Sequence, residues 1–164
     1  MAASEDSCSK WSRNEKFRLK FKDFEKLKNH SIEPNLLESI RHKFCNQSSD
    51  SPNSRILVSR YENVKIGNRI RFLTETSGSE FEVVADVQLF IPKIGSEIKC
   101  VVKRVKEDFI FFIYDDLYTG FILQEDYGLQ YDESIKLKDS IIYVTIKDLN
   151  FFEHTVSIQG ILAK

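Results

Sequence analysis

The sequence predicts an α+β protein in which a small N-terminal unit, one helix packed on a sheet, precedes a five-stranded β-barrel. Three observations predict this architecture. Short apolar or alternating segments fill residues 95–161, a single amphipathic pattern begins at Pro34, and strand-like segments flank that pattern on both sides. A typical β-sandwich needs about seven strands. The residues after Pro92 leave no room for that many, so the second half is expected to be a small barrel.

Five short strands are predicted in the second half. Ile98, Cys100 and Val102 alternate with mostly polar neighbours, the two-residue period of a strand with one buried face. The other four segments are rich in apolar, aromatic and β-branched residues. The predicted strands are residues 97–103, 109–114, 118–123, 141–146 and 155–161, with a turn at Asp115–Asp116 and a connection carrying Asp148 and Asn150. Because the longest interruption separates the third and fourth strands, the sequence favours an OB-fold barrel, which binds oligonucleotides.

The first residues divide into a leader and a basic strand. Residues 1–14 are small, polar and mixed in charge, which predicts a disordered leader. Phe17, Leu19 and Phe21 then alternate with Arg18, Lys20 and Lys22, as expected of a strand with a basic outer face. That face either approaches a phosphate backbone or keeps an edge strand soluble.

One helix is predicted, and three further strands follow it. Pro34 suits the first turn of a helix, where its missing N–H is not needed. Four apolar residues share one face of this helix: Leu36, Leu37, Ile40 and Phe44. Strands are predicted at residues 56–61, 70–73 and 80–90, with a turn at Gly67–Asn68, and Phe81, Val83, Ala85, Val87 and Leu89 face one way in the last. The predicted domains are the leader 1–14, the α+β unit 15–92 and the barrel 93–164.

Charge and cysteine content limit the function classes. The 24 basic residues are balanced by 25 acidic ones, so nucleic-acid binding would need a local basic patch. The three cysteines, Cys8, Cys45 and Cys100, lie far apart and are odd in number, which favours an intracellular protein with free thiols and no zinc site. No apolar run approaches the roughly 18 residues of a membrane span, and the N-terminus lacks a signal-peptide core.

Three segments, taken in order, resemble the stalk subunit of multisubunit DNA-directed RNA polymerases. This family includes the seventh subunit of RNA polymerase II and the archaeal E-prime subunit. Residues 31–37 (SIEPNLL) resemble the start of the family's N-terminal helix, and residues 81–95 (FEVVADVQLFIPKIG) resemble the segment that joins the tip domain to the barrel. Residues 135–160 resemble its last two strands. The sequence departs from the family at residues 53–56 (NSRI), where the family carries a Gly-rich segment.

The resemblance implies a non-catalytic polymerase subunit without cofactor, metal or small-molecule substrate. Its tip domain would anchor to polymerase core subunits, with a second stalk subunit as an optional partner, and its OB barrel would contact nascent RNA or initiation factors. Divergent short versions of the subunit occur in polymerases of large DNA viruses, which implies a role in viral transcription as one option. The expected location is intracellular and not in a membrane: the nucleus for a cellular protein, or a cytoplasmic replication site or virion for a viral one.

The barrel is also similar to the RNA-binding OB domains named after the largest protein of the small ribosomal subunit. Those domains place two aromatic residues on the second strand and a His on the third. Here Phe109 and Phe112 match the aromatics, whereas Leu123 stands at the His position. We therefore expect Phe109 and Phe112 to stack on single-stranded RNA, next to the basic residues Lys99, Lys103, Arg104 and Lys106. The alternative is that these aromatics, with Phe111 and Phe121, belong to the core or to a subunit interface.

Catalysis finds no support in the sequence. The three His residues, His30, His42 and His154, are scattered, and no phosphate-binding glycine motif is present. Two alternatives to a polymerase subunit remain open. One is a free-standing OB-fold factor that binds single-stranded RNA, such as a translation-initiation or exosome-cap-like module, and the other is a protein-contact scaffold without nucleic-acid binding.

Overall fold

A computed structural model describes residues 8–21, 33–45, 55–73, 78–127 and 138–163. These residues are mostly β-structure with one α-helix and one short 3-10 turn. They divide into two compact units. The sheet unit holds described residues 10–21, 33–45, 56–73 and 78–90, and the barrel unit holds described residues 8–9, 55, 91–127 and 138–163.

The strands and the helix follow one another in a simple order. The sheet contains β1 (Ser9–Phe21), β2 (Leu57–Leu73) and β3 (Gly78–Phe90), and the helix α1 (Glu33–Cys45) lies between β1 and β2 in the chain. The barrel contains β4 (Glu97–Val105), β5 (Phe109–Tyr114), β6 (Tyr118–Leu123), β7 (Ile141–Phe152) and β8 (Thr155–Leu162), with a 3-10 turn at Gln124–Asp126 after β6.

The sheet has the order β1-β3-β2, so β3 is central and β1 and β2 are edges. Alternate residues of β3 point into one hydrophobic cluster, which confirms the predicted inward set Phe81, Val83, Ala85, Val87 and Leu89. From α1 the cluster contains Leu36, Ile40 and Phe44, whose spacing of four places them on one helical face. Leu37, predicted with them, is half-buried and lies outside the cluster.

Strand β2 is continuous, so the predicted turn at Gly67–Asn68 is wrong. The two segments expected as separate strands form one ladder with β3, interrupted by irregularities, one of them between Ile66 and Ile70. Glycine suits this bulge for a steric reason. A Cβ atom on Gly67 would lie 3.1 Å from the carbonyl oxygen of Glu82 on β3. The glycine therefore permits a close backbone approach within a strand and does not end it.

Strand β1 begins at Ser9, so residues 9–14, predicted as part of a disordered leader, lie in the sheet. Residues 1–7 lie outside the described residues. A buried carboxylate on β3 holds both edge strands here. Asp86 accepts hydrogen bonds from the backbone N–H of Asn14 (2.8 Å), from Asn63 Nδ2 (2.8 Å) and from Arg13 (3.1 Å).

The Asp86 cluster explains two unusual backbone conformations. Asn14 and Asn63 each have φ of 53°, a left-handed conformation that Asn tolerates better than most residues. Donation by the Asn63 side chain, and then by the Asn14 backbone and Arg13, lowers the pKa of Asp86 from 3.8 to about 2. Such a cluster joins residues more than 20 positions apart, which local periodicity does not reveal.

The barrel is closed in the order β4-β5-β6-β8-β7, that is, 1-2-3-5-4 among its own strands. Strands β6 and β8 pair in parallel, and the other pairs in the barrel are antiparallel. This arrangement is OB-like. The predicted strands 109–114 and 118–123 are confirmed at both ends.

The fourth barrel strand is longer than predicted. Asp148 and Asn150, expected in a connection, lie in β7 and pair with Gln159 and Ser157 of β8. An irregularity between Ile146 and Asp148 breaks the strict alternation of buried and exposed side chains, which made the polar residues look like a loop. The hairpin turn falls instead at residues 153–154.

Candidate nucleic-acid interface

A three-residue turn, Asp115–Leu117, fixes which side chains of β5 face outward. Asp115 and Asp116 have φ of 51° and 56°, left-handed conformations that Asp tolerates better than most residues, and the N–H of Leu117 donates to the carbonyl oxygen of Tyr114 (3.2 Å). The turn sets a register in which Tyr114 pairs with Tyr118 and Phe112 with Gly120. Each residue of β5 thereby has a defined face, since side chains alternate along a strand.

The inward face of β5 contains Phe112, which is 0% exposed. Its ring occupies the space above Gly120 of β6. A Cβ atom on that glycine would lie 2.5 Å from Phe112 Cε2 and 2.6 Å from the carbonyl oxygen of Ile158. The expectation that Phe112 stacks on RNA is therefore wrong, because the ring is part of the barrel core. Residues three apart in a strand lie on opposite faces, so Phe109 and Phe112 cannot form one platform.

The outward face of β5 and β6 is aromatic. Phe109 and Phe111 alternate with the buried residues of β5, and Phe111 pairs directly with Phe121 of β6. All three rings are half-buried. We call Phe109, Phe111 and Phe121 the aromatic face. It lies on the second and third strands of the barrel, the pair that OB-folds use for oligonucleotides.

Two of the predicted basic residues lie beside the aromatic face. Arg104 is exposed and pairs with Phe111 across β4 and β5, so Arg104, Phe111 and Phe121 form one row over three strands. Lys106 is exposed, and its Nζ lies 5.7 Å from the centre of the Phe109 ring. A cation at this distance from a ring face is attracted to it. Arrangements of this kind suit a nucleic acid, since rings stack on bases and cations approach phosphates.

The other two predicted basic residues are placed less favourably. Lys103 lies at an irregularity of β4, and its Nζ is 3.1 Å from Asp139, so its charge is already offset. Lys99 is exposed but pairs with Tyr143 of β7, on the far side of Val101 from Arg104. The structure thus brings Phe109, Arg104 and Lys106 together and leaves Lys99 and Lys103 outside the group.

One end of the aromatic face is acidic. A recess beside β6 is lined by Asp108, Leu123, Gln124 and Glu125. Next to it, Lys147 Nζ lies 3.0 Å from both carboxylate oxygens of Asp126, and this hydrogen bonding raises the pKa of Lys147. The carboxylates at this end disfavour a phosphate there, and Lys106 lies close to them, because it is two residues from Asp108 and contacts Phe109, the partner of Leu123.

Sequence reasoning missed Phe111 and Phe121 as surface residues. It named both only in the alternative, as core or subunit-interface residues, because each lies in an apolar segment that does not show which side chains face outward. The signal that finds them is the two-residue period counted back from Asp115–Asp116, since the turn fixes the phase.

Histidines and metal-binding side chains are scattered in the described part of the chain. Within it, no group of three His, Cys, Asp or Glu side chains lies close enough to hold a metal ion. His42 lies in α1 and His154 in the turn after β7, both exposed, and His30 is outside the described residues. The single helix found there is too short and too polar to cross a membrane.

No protein-family profile matches the chain, and a search of curated proteins finds none with significant similarity.

Proposed function

We propose that this chain is a non-catalytic stalk subunit of a DNA-directed RNA polymerase, whose sheet unit acts as a helix-on-sheet tip domain anchored to polymerase core subunits. The observation that carries the proposal is the order of the two units. A three-stranded sheet with one helix inserted after its first strand precedes an OB-like barrel, as the three stalk-like sequence segments lead one to expect.

Contacts within the sheet unit support a helix packed on the sheet. Lys43 near the end of α1 pairs with Glu15 of β1, which lowers the pKa of Glu15, and it also donates to the carbonyl oxygen of Lys16 (3.3 Å). The Lys43 ammonium lies 5.0 Å from the centre of the Phe17 ring. Together with the shared hydrophobic cluster, these contacts favour α1 packing against β1.

Affinity purification tests the polymerase assignment. A tagged chain, expressed in the cells that naturally make it, should bring down the two largest polymerase subunits in stoichiometric amounts. A matched variant, Phe111→Ala with Phe121→Ala, should do so equally, because the anchor is expected on the sheet unit. Recovery of the tagged chain without polymerase subunits would instead favour a free-standing factor.

The aromatic face favours a second, compatible activity, binding of single-stranded RNA by the barrel. Phe109, Phe111 and Phe121 are available for stacking, and Arg104 and Lys106 for phosphates. Stacking does not depend on the base sequence, so little sequence preference is expected. The near-zero net charge of the chain predicts a modest affinity.

Fluorescence anisotropy with labelled RNA of about 12 nucleotides separates the two contributions. The Phe111→Ala, Phe121→Ala variant should bind every sequence about tenfold or more weakly. Replacing Arg104 and Lys106 by Gln should reduce the steepness of the plot of log binding constant against log salt concentration by about 0.7 for each lost phosphate contact. Lys103→Gln is the control and should change the slope less, because Asp139 already offsets that charge. Unchanged RNA affinity in the aromatic variant would favour the protein-contact scaffold.

A further inference from the structure

The edge strand β2 carries an apolar row that is largely exposed to solvent. Opposite the core residues of β3, the inward side chains of β2 run from Val58 and Tyr61 to Ile66, Ile70 and Phe72. Val58 and Tyr61 pack against the hydrophobic cluster. The last three do not: Ile66 is 54% exposed, Ile70 53% and Phe72 68%. Their partners on β3, Val83, Phe81 and Ser79, are buried. The apolar face of the sheet thus extends beyond the part of β2 that packs against the hydrophobic cluster.

The same stretch is strongly basic. Residues 64–72 (VKIGNRIRF) contain Lys65, Arg69 and Arg71 and no acidic residue. All three cations are exposed, and none has an ion-pair partner among the residues that the structure describes. The nearest carboxylate on β2, Glu62, is paired with Arg13 at 3.1 Å. On β3, Glu80 lies opposite Arg71 and is also 3.8 Å from Arg18, and Glu82 lies beside Gly67. The three cations of residues 64–72 outnumber these two carboxylates, so an acidic partner would meet a net positive edge.

The edge is also open for backbone hydrogen bonding. Among the described residues, strand β2 has β3 on one side and no further strand of its sheet on the other. Edge strands can accept an added strand, in which backbone bonds give affinity and alternate side chains give specificity. On either side of the irregularity between Ile66 and Ile70, residues 64–72 would present apolar side chains to one face of the added strand and basic side chains around it.

From these observations we infer that residues 64–72 of β2 form a docking edge for an extended acidic polypeptide segment of a partner protein, with apolar residues at alternate positions. The inference does not depend on the polymerase assignment. A second copy of this chain fits the edge poorly, because antiparallel pairing about Asn68 would place Lys65 against Arg71, and like charges directly opposite destabilise a strand pair. RNA would satisfy the cations but leave the aliphatic Ile66 and Ile70 unused.

A designed peptide tests the docking edge on the full-length chain. The probe is a labelled extended peptide of about eight residues that alternates Asp with Val. Two matched probes change one property each: Lys replaces Asp in the first, and alternate backbone amides are N-methylated in the second. We expect the Asp peptide to bind at up to millimolar concentration and both altered peptides to bind at least about tenfold more weakly.

Protein variants locate the binding. Replacing Ile70 and Phe72 by Thr should weaken binding of the Asp peptide about tenfold, because the peptide loses apolar contacts. Both side chains are exposed, so the replacement should leave the core of the sheet intact. Replacing Lys65, Arg69 and Arg71 by Gln should weaken binding similarly. The control is Ile141→Thr with Tyr143→Thr, an equally exposed apolar pair on the barrel (58% and 50%), which should bind like the parent.

Four results would overturn the inference. They are no peptide binding at millimolar concentration, equal binding of the N-methylated peptide, equal loss of binding in the barrel control, and a dimer that forms without peptide and disappears on Phe72→Thr. RNA binding that is lost in the Lys65, Arg69 and Arg71 variant, with no peptide binding, would assign the edge to nucleic acid instead.

Discussion

The barrel pairs each of its strands on two sides, whereas in the sheet β1 and β2 each pair with one described strand only. The apolar surface of the two units differs accordingly. In the barrel, closure encloses the inward side chains of all five strands. In the sheet, the hydrophobic cluster contains residues of α1 and β3 and contacts Val58 and Tyr61 of β2, whereas Ile66, Ile70 and Phe72 remain more than half exposed. A closed barrel therefore buries its apolar side chains within itself, whereas an open sheet needs another element or a partner to bury its apolar face.

The largest expected effect tests whether the helix is that cover. Ile40 is 0% exposed, so Ile40→Asp would bury an unpaired carboxylate, at a cost of more than about 4 kcal/mol. In hydrogen exchange of the full chain, the amides of β3 should lose protection and those of β5 should keep it, because the sheet's core contains no barrel residue. Leu37→Asp, at a half-buried neighbour, should have a clearly smaller effect. Parent-like protection of β3 in Ile40→Asp would show that α1 is not part of the core.

The next effect separates the two faces of β5. Phe112→Ala should lower the free energy of unfolding by about 3–5 kcal/mol, because the ring is fully buried and leaves a cavity. Phe111→Ala, on the half-buried outer face, should cost only about 1–2 kcal/mol. Chemical denaturation monitored by circular dichroism measures both. Equal losses of stability in the two variants would mean that Phe111 is as deeply buried as Phe112.

A smaller effect concerns overpacking of the closed barrel. In Gly120→Ala the new methyl group would collide with the Phe112 ring and with the backbone of Ile158, which costs about 1–3 kcal/mol. Combining Gly120→Ala with Phe112→Leu should recover part of this loss, since only the side-chain collision is relieved. Thr119→Ala, at the exposed neighbour, is the control for thermal melting and should melt close to the parent. If the double variant loses as much stability as the two single variants together, the contact between residue 120 and the Phe112 ring is not as described.

The smallest effect is a pH dependence of the sheet. The pKa of Asp86 is about 2 in the folded chain and ordinarily 3.8, so its contribution to stability is complete above about pH 4 and is lost as the pH falls through about 2. Over this range Asp86→Asn should show a slope of stability against pH that is shallower by at most about one proton. Melting temperatures measured across this pH range give the slope. If Asp86→Asn has the same slope as the parent, Asp86 does not contribute to the pH dependence of stability.

The contrast between the units also explains how much the sequence could predict. Strands β5 and β6 are short and regular and are joined by a tight polar turn, so the local sequence pattern located both ends of each. Strand β2 was predicted as two pieces because its bulge at Gly67 resembles a turn. The start of β1 was missed because distant residues around Asp86 hold it in place. Of the candidate site, Arg104, Lys106 and Phe109 were predictable by residue type, but the outward position of Phe111 and Phe121 required the phase of the strand.

The glycines inside the barrel have a consequence for how this sequence can diverge. The ring of Phe112 occupies the space that a side chain at position 120 would need, and Val144 Cγ1 occupies the corresponding space at Gly160. Neither glycine can gain a side chain unless its partner becomes smaller or the backbone moves. We expect homologous sequences to vary at 112 with 120, and at 144 with 160, as linked pairs. Covariation at these pairs would identify distant members of the lineage even where overall sequence identity has been lost.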